Sequence, residues 1–447
     1  MIEKHNFHWK EGFFYGFPIK RELFAELAKE LDTKQVVSVT GLRRTGKSTL
    51  LKQLADHLMS VEKIPRENIL FYSFDEEQPK IQEIIKEYQA RTGKDISKKI
   101  EKDVSITGTT NPEGETGVSN ETDKIFVFLD EVQKLEGWQD QVKYYYDNYA
   151  NIKFFISGSS SLFIRKHTRE SLAGRIREFI LPPLSFREFL SFRGKKELAE
   201  KPLMFEDTLK TEFLLYQKRQ FVEIISESEE KAGQYVQTLL EKVVYHDIPK
   251  VFPIGNEDLL MRILKIIAAN PGMLSDYESL SKDLGISRAT LSNYFFYLEE
   301  SFLIIKLYNF SANLLSSEKK MKRFYLSSTS FYAALNNGMD EPKIVENLVA
   351  ANTDAKHFWR TPQKYEVDVI LESNGKITPI EVKYRNSIPS KDLKNLARFA
   401  EKFGVSTAFA ITKDSFGKDE FELRDGKKLN IILVPAWSFL LEIPKEN

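Results

Sequence analysis

The chain has 447 residues, in which 65 lysines and arginines balance 65 aspartates and glutamates, and it contains no cysteine. This length exceeds a single hydrophobic core and predicts about two to four domains, while the neutral balance restricts any nucleic-acid contact to a local patch. The lack of cysteine excludes disulfides, thiolate zinc sites and cysteine catalysis, and because no signal-peptide core or membrane-length apolar run is visible, we expect a cytoplasmic protein with no membrane association.

The first part of the chain alternates strand and helix patterns. Residues 35–58 read as a strand, a glycine-rich loop and a helix, and apolar strands follow at 68–74, 125–131 and 151–161. Between them, the polar residues 104–124 are typical of a mobile surface loop. Alternation of this kind predicts an α/β domain with a parallel sheet.

The sequence GLRRTGKS at residues 41–48 matches the phosphate-binding pattern GxxxxGK[ST]. Its glycines let backbone N–H groups approach phosphate, Lys47 reaches the β- and γ-phosphates, and the Ser48 hydroxyl binds Mg²⁺. Arg43 and Arg44 either touch phosphate or are solvated. The predicted ATP-binding residues are Gly41, Arg44, Thr45, Gly46, Lys47, Ser48 and Thr49.

A second motif supports ATP as the nucleotide. The strand IFVFLDE (125–131) delivers Asp130 and Glu131 to the carboxyl edge of the sheet, where ligands of such sheets bind. We expect Asp130 to hold Mg²⁺ and Glu131 to activate the attacking water. The second acid favours ATP hydrolysis over a GTP switch.

Three stretches together resemble the archaeal and bacterial AAA-type ATPases that carry a C-terminal domain of unknown function. They are GLRRTGKSTLL, FLDEVQKLEGWQDQVKYYYDN and FFISGSSSLFIRKHTRESLAGRIREFILPPLSFREFL. The resemblance covers about residues 21–190. It implies that Ser157 or Ser159 senses the γ-phosphate and that Arg175 is an arginine finger or sensor. Alternatively, Arg175 pairs with Glu170 or Glu178.

Residues 258–325 have the pattern of a helix-turn-helix with wing strands. A helix ends at Pro271-Gly272, a second ends at Gly285, and a third begins with Ser287 as its N-cap. In a winged helix this third helix reads DNA, but such modules also dock protein. The predicted DNA contacts are Arg288, Thr290, Ser292, Asn293, Lys319, Lys320, Lys322 and Arg323.

Near the C-terminus, EVDVILESNGKITPIEVKYR (366–385) reads as a hairpin turning at 373–376. Pairing about this turn places Asp368 alongside Glu381, with Lys383 on the same face as Glu381. Two carboxylates suit Mg²⁺, which activates water while Lys383 assists. Glu346, on a predicted helix upstream, reaches the same centre, and a helix (390–404) and a strand (405–412) follow.

The order of Glu346 on a helix, Asp368 on a strand, and Glu381 and Lys383 on the next strand resembles the PD-(D/E)xK nuclease fold over about residues 320–420. Asp368 follows Val367 rather than proline. The resemblance implies a nuclease-like domain with Asp368 and Glu381 as Mg²⁺ ligands. The alternative is a fold that does not cleave.

We therefore predict an α/β protein with a P-loop ATPase domain (1–200), a helical region with a winged helix (201–325) and a nuclease-like domain (326–447). Three functions fit: a DNA-associated ATPase with a nuclease-like effector, an ATP-driven switch whose C-terminal modules bind protein, and a restriction-type nuclease regulated by ATP. The expected cofactors are ATP and Mg²⁺. The expected partners are DNA, protein and further copies of the chain.

Overall fold

The structure is a computed structural model that describes residues 1–96, 124–159, 172–275, 277–311, 321–335, 338, 340–373, 375–424 and 426–442. These residues form two compact units, Met1–Leu181 and Pro182–Asn447. Most of the predicted loop at 104–124 lies outside the described residues. The described helices include none long and apolar enough to span a bilayer.

The described part of the first unit contains one five-stranded sheet in which every neighbouring pair is parallel, in the order β2-β3-β4-β1-β5. Its strands are β1 (Val36–Thr40), β2 (Ile69–Ser73), β3 (Ile125–Asp130), β4 (Ile152–Gly158) and β5 (Ile176–Ile180). Its helices are α1 (Leu23–Lys29), α2 (Lys47–Ser60), α3 (Ile81–Thr92) and α4 (Trp138–Asn148). The predicted parallel α/β fold is confirmed.

Strand periodicity divides the core of this unit between the two faces of the sheet. In β3, Phe126 and Phe128 pack with Leu50 and Leu54 of α2. Val127 and its neighbours on the other face pack with α3 and α4. Strands buried on both faces therefore read as continuous apolar runs, which is why the sequence predicted them well.

The described part of the second unit contains a nine-stranded mixed sheet in the order β13-β14-β12-β11-β10-β9-β7-β8-β6. Its strands are β6 (Met273–Ser275), β7 (Ile304–Asn309), β8 (Lys322–Leu326), β9 (His357–Arg360), β10 (Glu366–Ser373), β11 (Lys376–Val382), β12 (Thr407–Thr412), β13 (Gly417–Glu422) and β14 (Lys428–Pro435). Strand β7 pairs with both β8 and β9, so the sheet continues through residue 325, where we predicted a boundary. The division into three domains stays a prediction.

The described α-helices of this unit lie before, between and after its strands along the chain. They are α5 (Phe186–Phe192), α6 (Lys196–Glu200), α7 (Glu206–Tyr216), α8 (Glu229–Lys242), α9 (Ile248–Val251), α10 (Glu257–Ala269), α11 (Tyr277–Leu284), α12 (Arg288–Glu300), α13 (Tyr332–Leu335), α14 (Glu341–Asn352), α15 (Lys394–Phe403) and α16 (Ala436–Leu441). The predicted hairpin is confirmed, because Ser373 of β10 pairs with Lys376 of β11. The same antiparallel register places Asp368 opposite Glu381.

Candidate functional sites

The glycine-rich loop joins β1 to α2 at the carboxyl edge of the first sheet. Gly41 has a φ of +149°, and a Cβ there would lie 2.3 Å from the carbonyl oxygen of Leu181, so a side chain does not fit. Lys47 donates hydrogen bonds to the carbonyls of Gly41 and Leu42, both at 3.0 Å. The loop thus folds around its own lysine, with Ser48 and Thr49 in the first turn of α2.

A buried arginine from outside the predicted motifs supports this loop. Arg21 is 6% exposed, and its guanidinium donates to the carbonyl oxygen of Thr45 at 2.5 Å. The Thr45 hydroxyl in turn donates to the Leu42 carbonyl at 2.9 Å. Arg21 lies outside the phosphate-binding pattern, so no motif marks it.

Asp130 and Glu131 stand at the end of β3, on the same edge as the loop. Ser157 of β4 donates its hydroxyl to Asp130 and accepts the Glu131 N–H at 3.3 Å. Because β4 lies between β3 and β1, Ser157 stands between the acid pair and the loop. Ser159, the alternative sensor, accepts a hydrogen bond from Gln133 at 3.1 Å.

Glu131 is the most constrained member of this group. Its φ of +54° lies in the left-handed region, which is uncommon for a residue with a side chain. Gln133 donates to its Oε2 at 2.6 Å. Burial raises the pKa of the Glu131 carboxyl, while the nearby charge of Lys47 acts in the opposite direction. A carboxylate held in this way beside the phosphate loop is suited to accept a proton from water.

Arg175 lies at the opposite edge of the sheet. The backbone N–H of Val36, the first residue of β1, donates to the Arg175 carbonyl at 2.8 Å, whereas the phosphate loop follows the last residue of β1. The length of a five-residue strand, about 16 Å, separates the two. The Arg175 guanidinium binds Asp147 through bonds of 2.7 and 3.2 Å. A sensor role within the same chain is therefore wrong. The partner is Asp147 and not Glu178, and Glu170 lies outside the described residues.

The segment predicted to form a winged helix-turn-helix contains α10, β6, α11, α12, β7 and β8 in that order. Ser287 caps α12 as predicted, because its hydroxyl accepts the Thr290 N–H at 3.0 Å. Thr290 is half-buried, and its hydroxyl also contacts Ser287 at 2.8 Å. Arg288, Ser292 and Asn293 are exposed on the outer face of this helix.

The predicted basic patch after β7 is only partly described. Lys319 and Lys320 lie outside the described residues. Lys322 is half-buried, with its ammonium 5.9 Å from the Tyr277 ring centre and 5.5 Å from that of Tyr308. Arg323 is 4% exposed and contacts carboxylates inside the unit. The prediction that Arg323 contacts DNA is therefore wrong, because a buried, paired guanidinium cannot reach a phosphate backbone.

The C-terminal residues predicted to form a nuclease-like centre come together. Asp368 of β10 accepts the Val382 N–H at 2.9 Å, and Lys383 donates to Glu381 at 2.5 Å. Glu346 of α14 accepts the Tyr325 hydroxyl at 2.7 Å. This centre is defined by Glu346, Asp368, Glu381 and Lys383, and we call it the acid centre.

Two further residues, Asn347 and Gly272, shape the surroundings of Glu346, and no motif marks either of them. The amide of Asn347 donates to the Leu326 carbonyl at 2.7 Å and accepts the Leu326 N–H at 2.9 Å, which fixes α14 against β8. A Cβ at Gly272 would lie 2.6 Å from Glu346 Oε1 and 2.9 Å from the Tyr325 hydroxyl. Gly272 also has a φ of +70°, a backbone conformation that residues with a side chain rarely adopt, so glycine is favoured at this approach of the backbone to the acid centre.

Asp368 and Glu381 are buried and Glu346 is half-buried, and the three carboxyl groups are close to one another. Burial, followed by the charge of Asp368, raises the pKa of Glu346 to about 7. The same two causes raise the pKa of Glu381 to about 8. Burial opposes the charge on Lys383, but Glu381 and Asp368 raise its pKa. Among the described residues, no group of three or more histidines, aspartates or glutamates is arranged to hold a metal ion.

Three family models match parts of the chain. Residues 33–190 match the family model described as an AAA domain, residues 221–342 match a domain of unknown function (DUF8612), and residues 341–436 match another (DUF4143). Most of the first unit is therefore similar to an AAA domain. The other two descriptions assign no activity.

Curated proteins with similarity to this chain include several described as uncharacterized. One from Haemophilus influenzae is 25% identical over 423 residues, covering 93% of each chain. One from Methanocaldococcus jannaschii is 26% identical over 320 residues, covering 66% of this chain and 60% of the relative. These relatives extend the similarity beyond the AAA domain without adding a function.

Solved structures with similarity include the Aeropyrum pernix ORC2 protein in ADPNP–ADP complexes. It is 14% identical, with 78% of this chain and 98% of that chain covered and a TM-score of 0.40. The A. pernix ORC1 protein in complex with DNA is 13% identical, with 73% and 91% covered and a TM-score of 0.26. Scores this low carry no inference about nucleotide or DNA binding by this chain.

Proposed function

We propose that the protein binds and hydrolyses ATP in its first unit, associates with DNA through the outer face of α12, and carries a nuclease-like C-terminal fold. One observation carries the ATPase assignment. Lys47, Asp130, Glu131 and Ser157 meet at the carboxyl edge of a parallel sheet, beside a loop whose Gly41 excludes any side chain. Ligands of open α/β sheets bind at this edge.

Each residue then has a defined role. The amide groups of the loop and the N-terminus of α2 bind the phosphates, and Lys47 exchanges its carbonyl partners for phosphate oxygens. Glu131 orients and deprotonates the attacking water. Ser157 holds the Asp130 side chain and the Glu131 backbone in place through its two hydrogen bonds. Ser48 and Asp130 offer the oxygen ligands that Mg²⁺ prefers, and Mg²⁺ there would neutralise phosphate charge.

The test is ATP binding and hydrolysis by the full chain. We expect Lys47→Ala to abolish both, and Glu131→Gln to retain binding while hydrolysis falls by about 10²–10⁴-fold, since the general base is lost. Lys86→Ala, which removes an exposed lysine of α3, is the matched control and should behave as wild type. Hydrolysis that survives in Lys47→Ala would refute the assignment.

DNA association is supported by the exposed face of the capped helix α12. Arg288, Ser292 and Asn293 lie outward on it, with side chains that suit phosphate and base edges. We expect Arg288→Ala to weaken DNA binding. The slope of log affinity against log salt concentration should fall in magnitude by about 1, the value for one lost phosphate contact. Arg262→Ala, on the exposed face of α10, is the control for loss of charge alone.

The nuclease-like assignment is supported by the order of α14, β10, β11, α15 and β12, with β10 and β11 antiparallel and β11 and β12 parallel. An arginine inside the acid centre favours the alternative in which the C-terminal modules bind without cleaving. Incubating linear, single-stranded and branched DNA with protein, ATP and Mg²⁺, beside Asp368→Asn, separates the two. Cleavage that depends on Asp368 refutes the alternative.

Arg175 bears on assembly. Arg175 lies too far from the phosphate loop of its own chain to contact a nucleotide there. Its remaining catalytic role is to contact the nucleotide of a neighbouring copy. A homo-oligomer is therefore part of the proposal. Sedimentation of the protein with and without ATP tests it, and a monomer at every concentration would leave Arg175 a structural partner of Asp147.

A further inference from the structure

The acid centre of the second unit contains a cation from the chain itself. Arg323 extends from β8 into the carboxylates and is 4% exposed. Its guanidinium lies 3.2 Å from Asp368 Oδ1 and 3.5 Å from Glu346 Oε1, and it also donates to Glu366 of β10. One guanidinium thus contacts three carboxylates that come from a helix and a strand.

Bound partners already occupy most of the oxygens that a metal would need. Asp368 uses one oxygen for Arg323 and the other for the Val382 N–H. Glu346 Oε1 accepts from Tyr325, and Glu381 Oε1 accepts from Lys383. Mg²⁺ requires near-octahedral oxygen ligands at about 2.0–2.1 Å. The centre as arranged does not fit that ion.

One oxygen stands apart from this pattern. Glu381 is 4% exposed, and its Oε2 is buried without a hydrogen-bond partner. It lies opposite Asp368 in the hairpin register. A buried carboxylate oxygen without a partner costs free energy, and such groups usually mark an ion or a functional role. The carboxylates therefore have the composition of a cation site, but the Arg323 guanidinium already contacts two of them, Glu346 and Asp368.

The remaining surroundings fit a permanent guanidinium. The Phe358 ring of β9 lies 5.0 Å from the centre of the Arg323 guanidinium, a distance suited to a cation–π contact. Arg360 also pairs with Glu366, at 2.5 Å. Three cations thus face four carboxylates in this region. The cations are Arg323, Arg360 and Lys383, and the carboxylates are those of Glu346, Glu366, Asp368 and Glu381. Charge compensation without a metal is nearly complete.

We propose that Arg323 replaces a divalent cation in the acid centre, and that Glu346, Asp368 and Glu381 form a cation site only after this guanidinium is removed. The native centre is accordingly metal-free. This inference goes beyond the proposed function, and it does not depend on ATP hydrolysis in the first unit or on DNA contact by α12.

The experiment titrates the full chain with Mn²⁺ alone, without nucleotide. Electron paramagnetic resonance measures the free Mn²⁺, and the bound Mn²⁺ is the difference from the total. We expect Arg323→Met to bind one more Mn²⁺ per chain than wild type, at least ~10-fold more tightly than any wild-type binding, since the freed carboxylates are hard oxygen ligands. Adding Glu381→Gln to that variant should remove the extra site. Arg323→Gln is a second variant for the same comparison.

Removing a buried cation from the three acids that it contacts also lowers stability, and that effect supplies a second readout. Mn²⁺ should raise the melting temperature of Arg323→Met and leave that of wild type unchanged. Two results would overturn the proposal. One is Mn²⁺ binding by wild type that Glu381→Gln abolishes. The other is that both Arg323 variants, folded or not, neither bind nor are stabilised by Mn²⁺.

Discussion

His8 should make the first unit sensitive to acid. This imidazole is fully buried, with Nε2 3.0 Å from the Ile69 carbonyl and Nδ1 2.9 Å from the Tyr15 hydroxyl. The carbonyl can only accept, so Nε2 carries the proton and Nδ1 accepts from Tyr15. Burial lowers the pKa of His8 from 6.5 to about 4, the Ile69 carbonyl opposes that shift, and the charge of Arg66 adds to it.

The magnitude follows from linkage. Because the folded-state pKa lies below the unfolded value, the unfolded chain binds the proton first as the pH falls. The stabilisation is therefore present above pH 6.5 and is lost progressively between pH 6.5 and 4. A shift of this size corresponds to about 3 kcal/mol of unfolding free energy.

The assay is urea denaturation of wild type and His8→Gln across that pH range. Wild type should lose about 3 kcal/mol more than the variant on acidification, although the variant is less stable at neutral pH. His246→Gln, an exposed histidine in the second unit, is the control and should retain the wild-type slope. Parallel pH profiles for wild type and His8→Gln would refute the reasoning.

Three further substitutions test the sites. Gly41→Ala should abolish nucleotide binding measured by fluorescent ATP analogue titration, because its Cβ would lie 2.3 Å from the Leu181 carbonyl oxygen; unchanged affinity contradicts the loop geometry. Gly272→Ala should lower unfolding free energy by about 1–3 kcal/mol, the usual range for overpacking, since its Cβ would lie 2.6 Å from Glu346 Oε1. Arg175→Ala should leave ATP affinity unchanged in the same titration, because Arg175 lies at the sheet edge opposite the phosphate loop. A large loss of affinity would contradict that position.

Hydrophobic patterning and local motifs explain how much of the fold could be predicted. Strands buried on both faces gave continuous apolar runs, and the GxxxxGK[ST] pattern identified Lys47 and Ser48 because its function depends on a contiguous loop. The turn at 373–376 fixed the register of β10 and β11 and hence the pairing of Asp368 with Glu381. These features are set by residues close together in sequence.

Tertiary structure decided what depends on residues far apart in the chain. Arg323 looked like part of an exposed basic patch, but the pairing of β7 with β9 brings β8 into the same sheet as β10, where the guanidinium meets Asp368. The motif predicted that Arg175 is a sensor, but β5 pairs with β1 in parallel. Arg175 therefore lies beside the start of β1, at the edge of the sheet opposite the phosphate loop. Sequence therefore determined which charged groups the chain carries, and long-range strand pairing determined which of them are buried together.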